Sequence, residues 1–184
     1  MTGAERQRLR ELIDQRAIAR GDFLLSSGKR SSYYIDLRLL SLSPEGAYLL
    51  GRAALDLAEE AGATAIGGPV AAVVPIIGAA VALSYQQGRP LRGFMVRKET
   101  KAHGTGRQIE GPLEPGMRVA VLDDTTTTGA SLEAALAAVE AFGCPVVLVG
   151  AIVDREEGAR ERLLAAGYPY RAVFSIREFG LTPL

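Results

Sequence analysis

The sequence predicts an α/β protein: a mainly parallel sheet flanked by helices, with a small N-terminal hood. Three observations carry this. Short apolar runs of strand length alternate along the chain with stretches whose Leu and Ala recur at helical spacing. The runs are apolar throughout, without a polar residue at every second place, as in strands buried on both faces. No repeat, low-complexity tract or long linker divides the 184 residues, so they read as one domain, 1–184, with the hood mainly in about 1–40 and the core in about 44–176.

Residues 4 to 20 read as a helix with Leu9, Leu12 and Ile13 on one face, and residues 23 to 38 as strands of the hood. Residues 44 to 61 form an amphipathic helix, opened by Ser43 and by Pro44, whose fixed φ suits a first helical position, and stopped by Gly62. Residues 64 to 67 are a short strand and 75 to 85 an apolar helix. Gly67, Gly68 and Pro69 between them read as a tight loop at the ligand edge, with an ordinary strand-to-helix turn as the alternative. Residues 93 to 96 are a strand, and the polar, glycine-bearing run from 98 to 116 is too long for a simple connection, which makes it a candidate functional loop. Strand 118 to 123, helix 131 to 142, strand 145 to 153, helix 156 to 166 and strand 170 to 176 complete the alternation. Ligands of such sheets bind at the carboxyl ends of the strands, where Asp123, Asp124 and Arg155 fall.

Composition narrows the class. With 48% hydrophobic and 23% charged residues the chain is an ordinary globular domain with a substantial core. Its 21 basic and 21 acidic residues cancel, so no global field draws it to nucleic acid and any anion site must be local. The N-terminus is charged and amphipathic, unlike a signal peptide, and no apolar run approaches the roughly 20 residues that span a bilayer. The chain therefore reads as cytoplasmic, with no membrane and no nucleic-acid partner. Cys144 is the only cysteine and His103 the only histidine, which leaves neither an intrachain disulfide nor a zinc set. Eighteen of the basic residues are arginines and there is no asparagine, the drift of a GC-rich genome; against it stand three lysines, Lys29, Lys98 and Lys101. A lysine kept where arginine is the default suggests that a compact, mobile ammonium is wanted.

The densest chemistry lies in RVAVLDDTTTTGAS, residues 118 to 131. An apolar strand ends in Asp123 and Asp124, and the loop Thr125, Thr126, Thr127, Thr128, Gly129, Ala130, Ser131 opens a helix. The N–H groups of such a loop and first helical turn lack intrahelical partners and close around a phosphate, aided by the helix dipole. The hydroxyls add donors, and Gly129 lets the backbone approach closely. Two carboxylates would repel a polyphosphate but accept hydrogen bonds from vicinal ribose hydroxyls, so the pattern suits a ribose 5-phosphate. Neither G-x-x-x-x-G-K-S/T nor G-x-G-x-x-G occurs. The bland alternative is a pair of solvated acids followed by threonines that cap a helix.

Arg97, Lys98, Lys101 and His103 form a dense cationic segment bordered by Gly104 and Gly106, suited to a lid closing on a polyanion; a solvated charged loop is the alternative. An imidazole with an ordinary pKa of about 6.5 can donate a hydrogen bond or carry charge there. Arg155 follows an apolar strand into the crevice, and its planar fork suits carbonyl or carboxylate oxygens. Tyr33 and Tyr34 are core or surface aromatics unless they meet a base, and Cys144 reads as a small buried apolar residue.

Residues 118 to 131 closely resemble the motif by which type I phosphoribosyltransferases bind 5-phosphoribosyl 1-diphosphate (PRPP). Three more stretches resemble the orotate phosphoribosyltransferase family: VRKETKAHGTGRQIEG at 96 to 111 its catalytic loop, SGKRSSYYID at 27 to 36 its hood, and VDREEG at 153 to 158 its base-contacting segment. The resemblance implies Mg²⁺-dependent transfer of phosphoribosyl from PRPP to N1 of orotate, giving orotidine 5′-monophosphate and pyrophosphate, a step of pyrimidine synthesis. It implies Lys98, Lys101 and His103 as catalytic residues. These three, Arg97 and residues Asp123 to Ser131 would bind PRPP, and Lys29, Tyr33, Tyr34, Thr127 and Arg155 would bind orotate. Mg²⁺ would be held mainly by PRPP, with no metal ligands from the protein. It also implies a homodimer with the active site shared between subunits. Some members carry lysines where Ser26 and Ala72 stand here, which shifts pyrophosphate binding onto the loop. A purine phosphoribosyltransferase and a PRPP-sensing regulator are the alternatives. The first would lack the RKETKAHGTG loop, and the second would bring a DNA-binding domain or a basic face.

Overall fold

In the computed structural model, which describes residues 1–24, 28, 30–98 and 108–183, the chain opens with helix α1 (Gly3–Leu12). Thr2 caps it: its hydroxyl accepts from the Glu5 N–H at 3.2 Å, and the Glu5 carboxylate accepts from the Thr2 N–H at 2.6 Å. The helix expected to reach residue 20 ends at Leu12, loosens into a π-helical turn (Ile13–Ala17) and gives way to strand β1 (Ile18–Leu24). β1 pairs antiparallel with β2 (Arg30–Ile35), Ile18 opposite Ile35. The hood is this ribbon. Its early start reflects a partner strand that helical spacing cannot register. β2 alternates cleanly, with Ser31 and Tyr33 buried and Arg30, Ser32 and Tyr34 exposed.

A short helix α2 (Arg38–Ser41), which the sequence did not announce, leads to α3 (Pro44–Glu60), with proline in its first turn as expected. Then follow β3 (Ala65–Pro69), α4 (Val74–Gln86), β4 (Arg92–Val96), β5 (Ile109–Glu110), β6 (Val119–Thr126) and α5 (Ala130–Ala141). β7 (Val146–Asp154), α6 (Ala159–Ala165), β8 (Tyr170–Ser175) and a 3-10 turn (Ile176–Phe179) close the chain.

The six-stranded sheet has the order β5-β4-β3-β6-β7-β8, parallel except for β5, which runs antiparallel to β4. Strand side chains alternate between two apolar layers. Ala120 and Leu122 pack on the side of α1, α3, α4 and the hood, and Val119 and Val121 on the side of α5 and α6. Both layers are dry, which is why the strands read as continuous apolar runs.

Two boundaries differ from expectation in ways that shape the site. β3 runs through Pro69, so Gly67 and Gly68 are strand residues paired with Phe94 and Met95 rather than a loop, and the turn into α4 begins at Val70. β6 runs on through Thr126, paired with Asp154, so Asp123 to Thr126 are held by the ladder and the free loop is only Thr127 to Gly129.

Candidate active site

A cleft of about 200 Å³ opens at the carboxyl ends of β3, β4 and β6. The turn after β3 supplies Val70 to Ala72, β4 delivers Arg97 and Lys98, and Asp123 meets Ser131 of α5 across it. Sequence-predicted residues from two separate motifs thus share one cavity. Gly129 has a left-handed φ of +84°, and α5 begins after it with no side chain capping its first N–H groups. A Cβ there would approach Ala159 to 3.3 Å, so the turn needs glycine for conformation and packs it closely. An uncapped helix start beside the cleft has the free N–H groups and dipole that suit an anion.

The acid pair is electrostatically tense. Asp123 is buried, and burial together with the Asp124 charge pushes its carboxyl up to about 7, against the opposing hydrogen bond from Ser131. Burial raises Asp124 as well, opposed by backbone N–H groups and by the charge of Arg38. Arg38 was not singled out in the sequence. Asp36 clamps it, accepting from Arg38 Nε at 2.7 Å and Nη2 at 2.8 Å, so a fixed guanidinium stands toward the acids.

The threonines divide. Thr126 is buried, its hydroxyl 2.7 Å from the Tyr170 hydroxyl and 3.4 Å from Asp154 Oδ1, so its side chain is committed to the core and not offered to a phosphate. The Thr126 and Thr127 carbonyls accept from the N–H groups of Arg155 at 2.9 Å and Ala159 at 3.1 Å, which binds the turn before α5 to the segment after β7. Thr128 and Ser131 are exposed, Thr125 half-buried.

Arg97 closes the base of the cationic loop. Its N–H donates to the Gln108 carbonyl at 2.9 Å, Gln108 Nε2 donates back to the Arg97 carbonyl at 3.0 Å, and its guanidinium pairs with Glu110 at 2.5 Å. Lys98 is exposed just beyond. Lys101, His103 and, in the hood, Lys29 lie outside the described residues.

On the hood side, Arg155 stands 5.0 Å over the ring of Tyr33. Tyr33, expected among the base contacts, is fully buried on the core face of β2, with its ring beneath the arginine. Tyr34, 43% exposed, remains on the open face, tilted against Phe23.

No family model matches the chain. Individual relatives do. It is 43% identical over 178 residues to an orotate phosphoribosyltransferase of Rhodopirellula baltica, spanning 94% of this chain and 92% of that one. It is 45% identical over 177 residues to that of Aquifex aeolicus, spanning 95% and 97%. The chain belongs to the orotate phosphoribosyltransferase family. Crystal structures of the Mycobacterium tuberculosis orotate phosphoribosyltransferase match its α/β fold: the complex with Fe(III) dicitrate at a TM-score of 0.85 and 38% identity, covering 96% of this chain and 99% of that one. The complex with PRPP matches at 0.81 and 36%, with the same coverage. Membership in the orotate phosphoribosyltransferase family displaces the purine alternative.

Two features of this orotate phosphoribosyltransferase site escaped the sequence. Arg38 had a local signal, an Asp two residues before it, but nothing linked it to Asp124. Glu157 lies 3.0 Å from Arg155 Nε, across Glu156, whose left-handed φ of +55° the sequence does not announce.

Proposed function

We propose that this chain transfers the 5-phosphoribosyl group of PRPP to N1 of orotate, giving orotidine 5′-monophosphate and pyrophosphate in pyrimidine synthesis. The observation that carries the reading is the single cleft uniting Arg97 and Lys98 with Asp123 and Ser131, in a chain of this family. The N–H groups of Thr127 to Ser131 would hold the 5-phosphate, and Asp123 and Asp124 the ribose hydroxyls, fixing the sugar for attack. Arg155 would take a carbonyl or carboxylate oxygen of orotate, with Tyr34 and Lys29 of the hood as further contacts. Pyrophosphate leaves C1′ as N1 attacks from the opposite face, so cationic character grows on the ribose and negative charge on the leaving group. Lys98, with Lys101 and His103 of the loop, would stabilise that charge.

The family implies Mg²⁺, and the donors here fit an ion that arrives with its substrate. The carboxylate that lines the cleft is that of Asp123, and its two oxygens already accept from the Asp124 N–H and Ser131 Oγ. Mg²⁺ characteristically takes most ligands from substrate phosphates and water. PRPP oxygens would hold it, and when bound it draws charge from the departing pyrophosphate. We further infer a cytoplasmic homodimer in which the loop of one subunit completes the site of the other, a reading supported by the length and charge of residues 98 to 111.

The test is release of pyrophosphate from PRPP with a panel of bases. Orotate alone should support rapid turnover, and removing Mg²⁺ should abolish it. Comparable rates with hypoxanthine or guanine would reject the assignment.

A further inference from the structure

Arg155 leaves the end of β7 almost wholly buried, with 11% of its side chain exposed. Its Nε faces Glu157 Oε1 at 3.0 Å, an ion pair whose angle falls short of a hydrogen bond, and Glu157 is itself 12% exposed. Below the guanidinium lies the ring of Tyr33. Nη2 has no hydrogen-bond partner among the described residues, although it is buried, and a buried donor left unpaired is unfavourable.

Arg155 and Glu157 are two apart, and the chain turns between them. It does so at Glu156, whose φ of +55° is left-handed and uncommon for a residue with a side chain. Three bonds hold that conformation. Asp154 Oδ1 accepts from the Glu156 N–H at 2.8 Å, and the Glu156 carboxylate accepts from Ser175 Oγ and, at 2.6 Å, from Arg177 Nε. The three acids of the segment therefore have separate tasks. Asp154 closes the turn, Glu156 ties it to the end of β8, and Glu157 is left to face Arg155. Strained backbone of this kind persists where the surroundings over-determine it, and such places cluster at ligand sites.

We propose that Glu157 is a positioning residue for orotate recognition. By occupying the Nε edge it fixes the guanidinium plane over Tyr33 and leaves Nη2 for an oxygen of the base. The inference rests on the role proposed for Arg155. Without Glu157 the guanidinium turns to find another acceptor, and orotate must draw it back before N1 is placed for attack.

Steady-state kinetics of the full enzyme with Mg²⁺ and PRPP test this in Glu157→Ala, Glu157→Gln and Arg155→Lys, with melting temperatures as the control for folding. In Glu157→Ala the orotate KM should rise about ten-fold or more while the PRPP KM stays within about two-fold. Glu157→Gln keeps the shape and an oxygen beside Nε but not the charge of the ion pair, so it should recover only part of the loss. A folded Glu157→Ala whose orotate KM is unchanged or lower overturns the proposal, as does an equal rise in both KM values. If Glu157→Ala fails to fold, Glu157→Asp carries the test: it keeps the charge, withdraws it by one methylene and should show the same split. Arg155→Lys separates the two levels. If it leaves the orotate KM unchanged, the base-side reading of Arg155 fails and this inference with it. If it raises that KM and Glu157→Ala does not, only the inference fails.

Discussion

Ser131 Oγ donates a 2.8 Å hydrogen bond to Asp123 Oδ2, tying the first turn of α5 to the acid at the end of β6. The bond favours the ionised carboxylate, against burial and the Asp124 charge, which together push Asp123 up to about 7. An ionised Asp123 is the better acceptor for ribose hydroxyls, so PRPP affinity should rise with pH toward and through neutrality. Ser131→Ala removes the opposing bond and raises Asp123 further. We expect PRPP to bind more weakly to this variant at neutral pH, with part of the loss recovered in mildly alkaline buffer. Calorimetric titration of PRPP across pH checks this; a loss that does not vary with pH would mean that Ser131 acts only by direct contact.

Asp124→Asn acts on the same pair from the other side. It removes a ribose acceptor, and a hydrogen bond to a charged group contributes about 1.5–3 kcal/mol, so the PRPP Kd should rise by on the order of ten-fold or more. It also removes the charge that helps raise Asp123. The sign for stability follows from linkage. The folded Asp123 holds its proton up to about 7 and an unfolded one only to 3.8, so this contribution is complete below 3.8 and is lost as pH rises to about 7. In Asp124→Asn that loss should finish at a lower pH, visible as a shifted decline of Tm with pH. An unchanged Kd for PRPP removes the ribose role of Asp124.

How far the site was legible follows from where its information lies. The strand–turn–helix unit was readable because it is local: an apolar run, two acids, and Gly129 in the left-handed region before a helix. What the segment could not state was where its strand ends. The ladder with β7 carries β6 to Thr126, and the Thr126 hydroxyl meets Tyr170, 44 positions along. The partner strand decides that, as Ile35 decides the start of β1 at Ile18. The face of Tyr33 was unreadable for the same reason, since tyrosine on an alternating strand is compatible with either face until the core is known. Arg155 was placed correctly at a strand end, but its contact with Glu157 runs across Glu156, whose left-handed φ the sequence does not mark.

Two glycines separate packing from propensity. A Cβ on Gly68 would stand 1.9 Å from the Leu122 carbonyl oxygen, a backbone atom of the neighbouring strand that cannot step aside. Gly78, mid-helix in α4, meets nothing within 4 Å. We expect Gly68→Ala to lose more than about 3 kcal/mol of stability or to fail to fold. Gly78→Ala should gain about 0.5–1 kcal/mol by stiffening the unfolded chain and favouring the helix. Urea unfolding of both variants decides; a Gly68→Ala protein as stable as its parent would contradict the close approach of β3 and β6.

The last prediction concerns the loop that begins at Lys98 and the second subunit it is proposed to reach. Arg97 and Gln108 are paired at its base, and Arg97 and Lys98 line the cleft. If the loop's cations act in the partner's site, defects in loop and cradle belong to different subunits. Lys101→Ala and Asp124→Asn homodimers should each be nearly inactive, the first lacking leaving-group stabilisation and the second a ribose contact. Mixed with subunit exchange, half the dimers are hybrids. One site of each hybrid receives an intact loop from the Asp124→Asn chain and an intact Asp124 from the Lys101→Ala chain, while the other collects both defects. Activity should therefore recover to roughly a quarter of the parent value if the sites are independent. Exchange confirmed by mass-labelled subunits, with activity remaining at the average of the two variants, would show instead that the loop serves its own subunit.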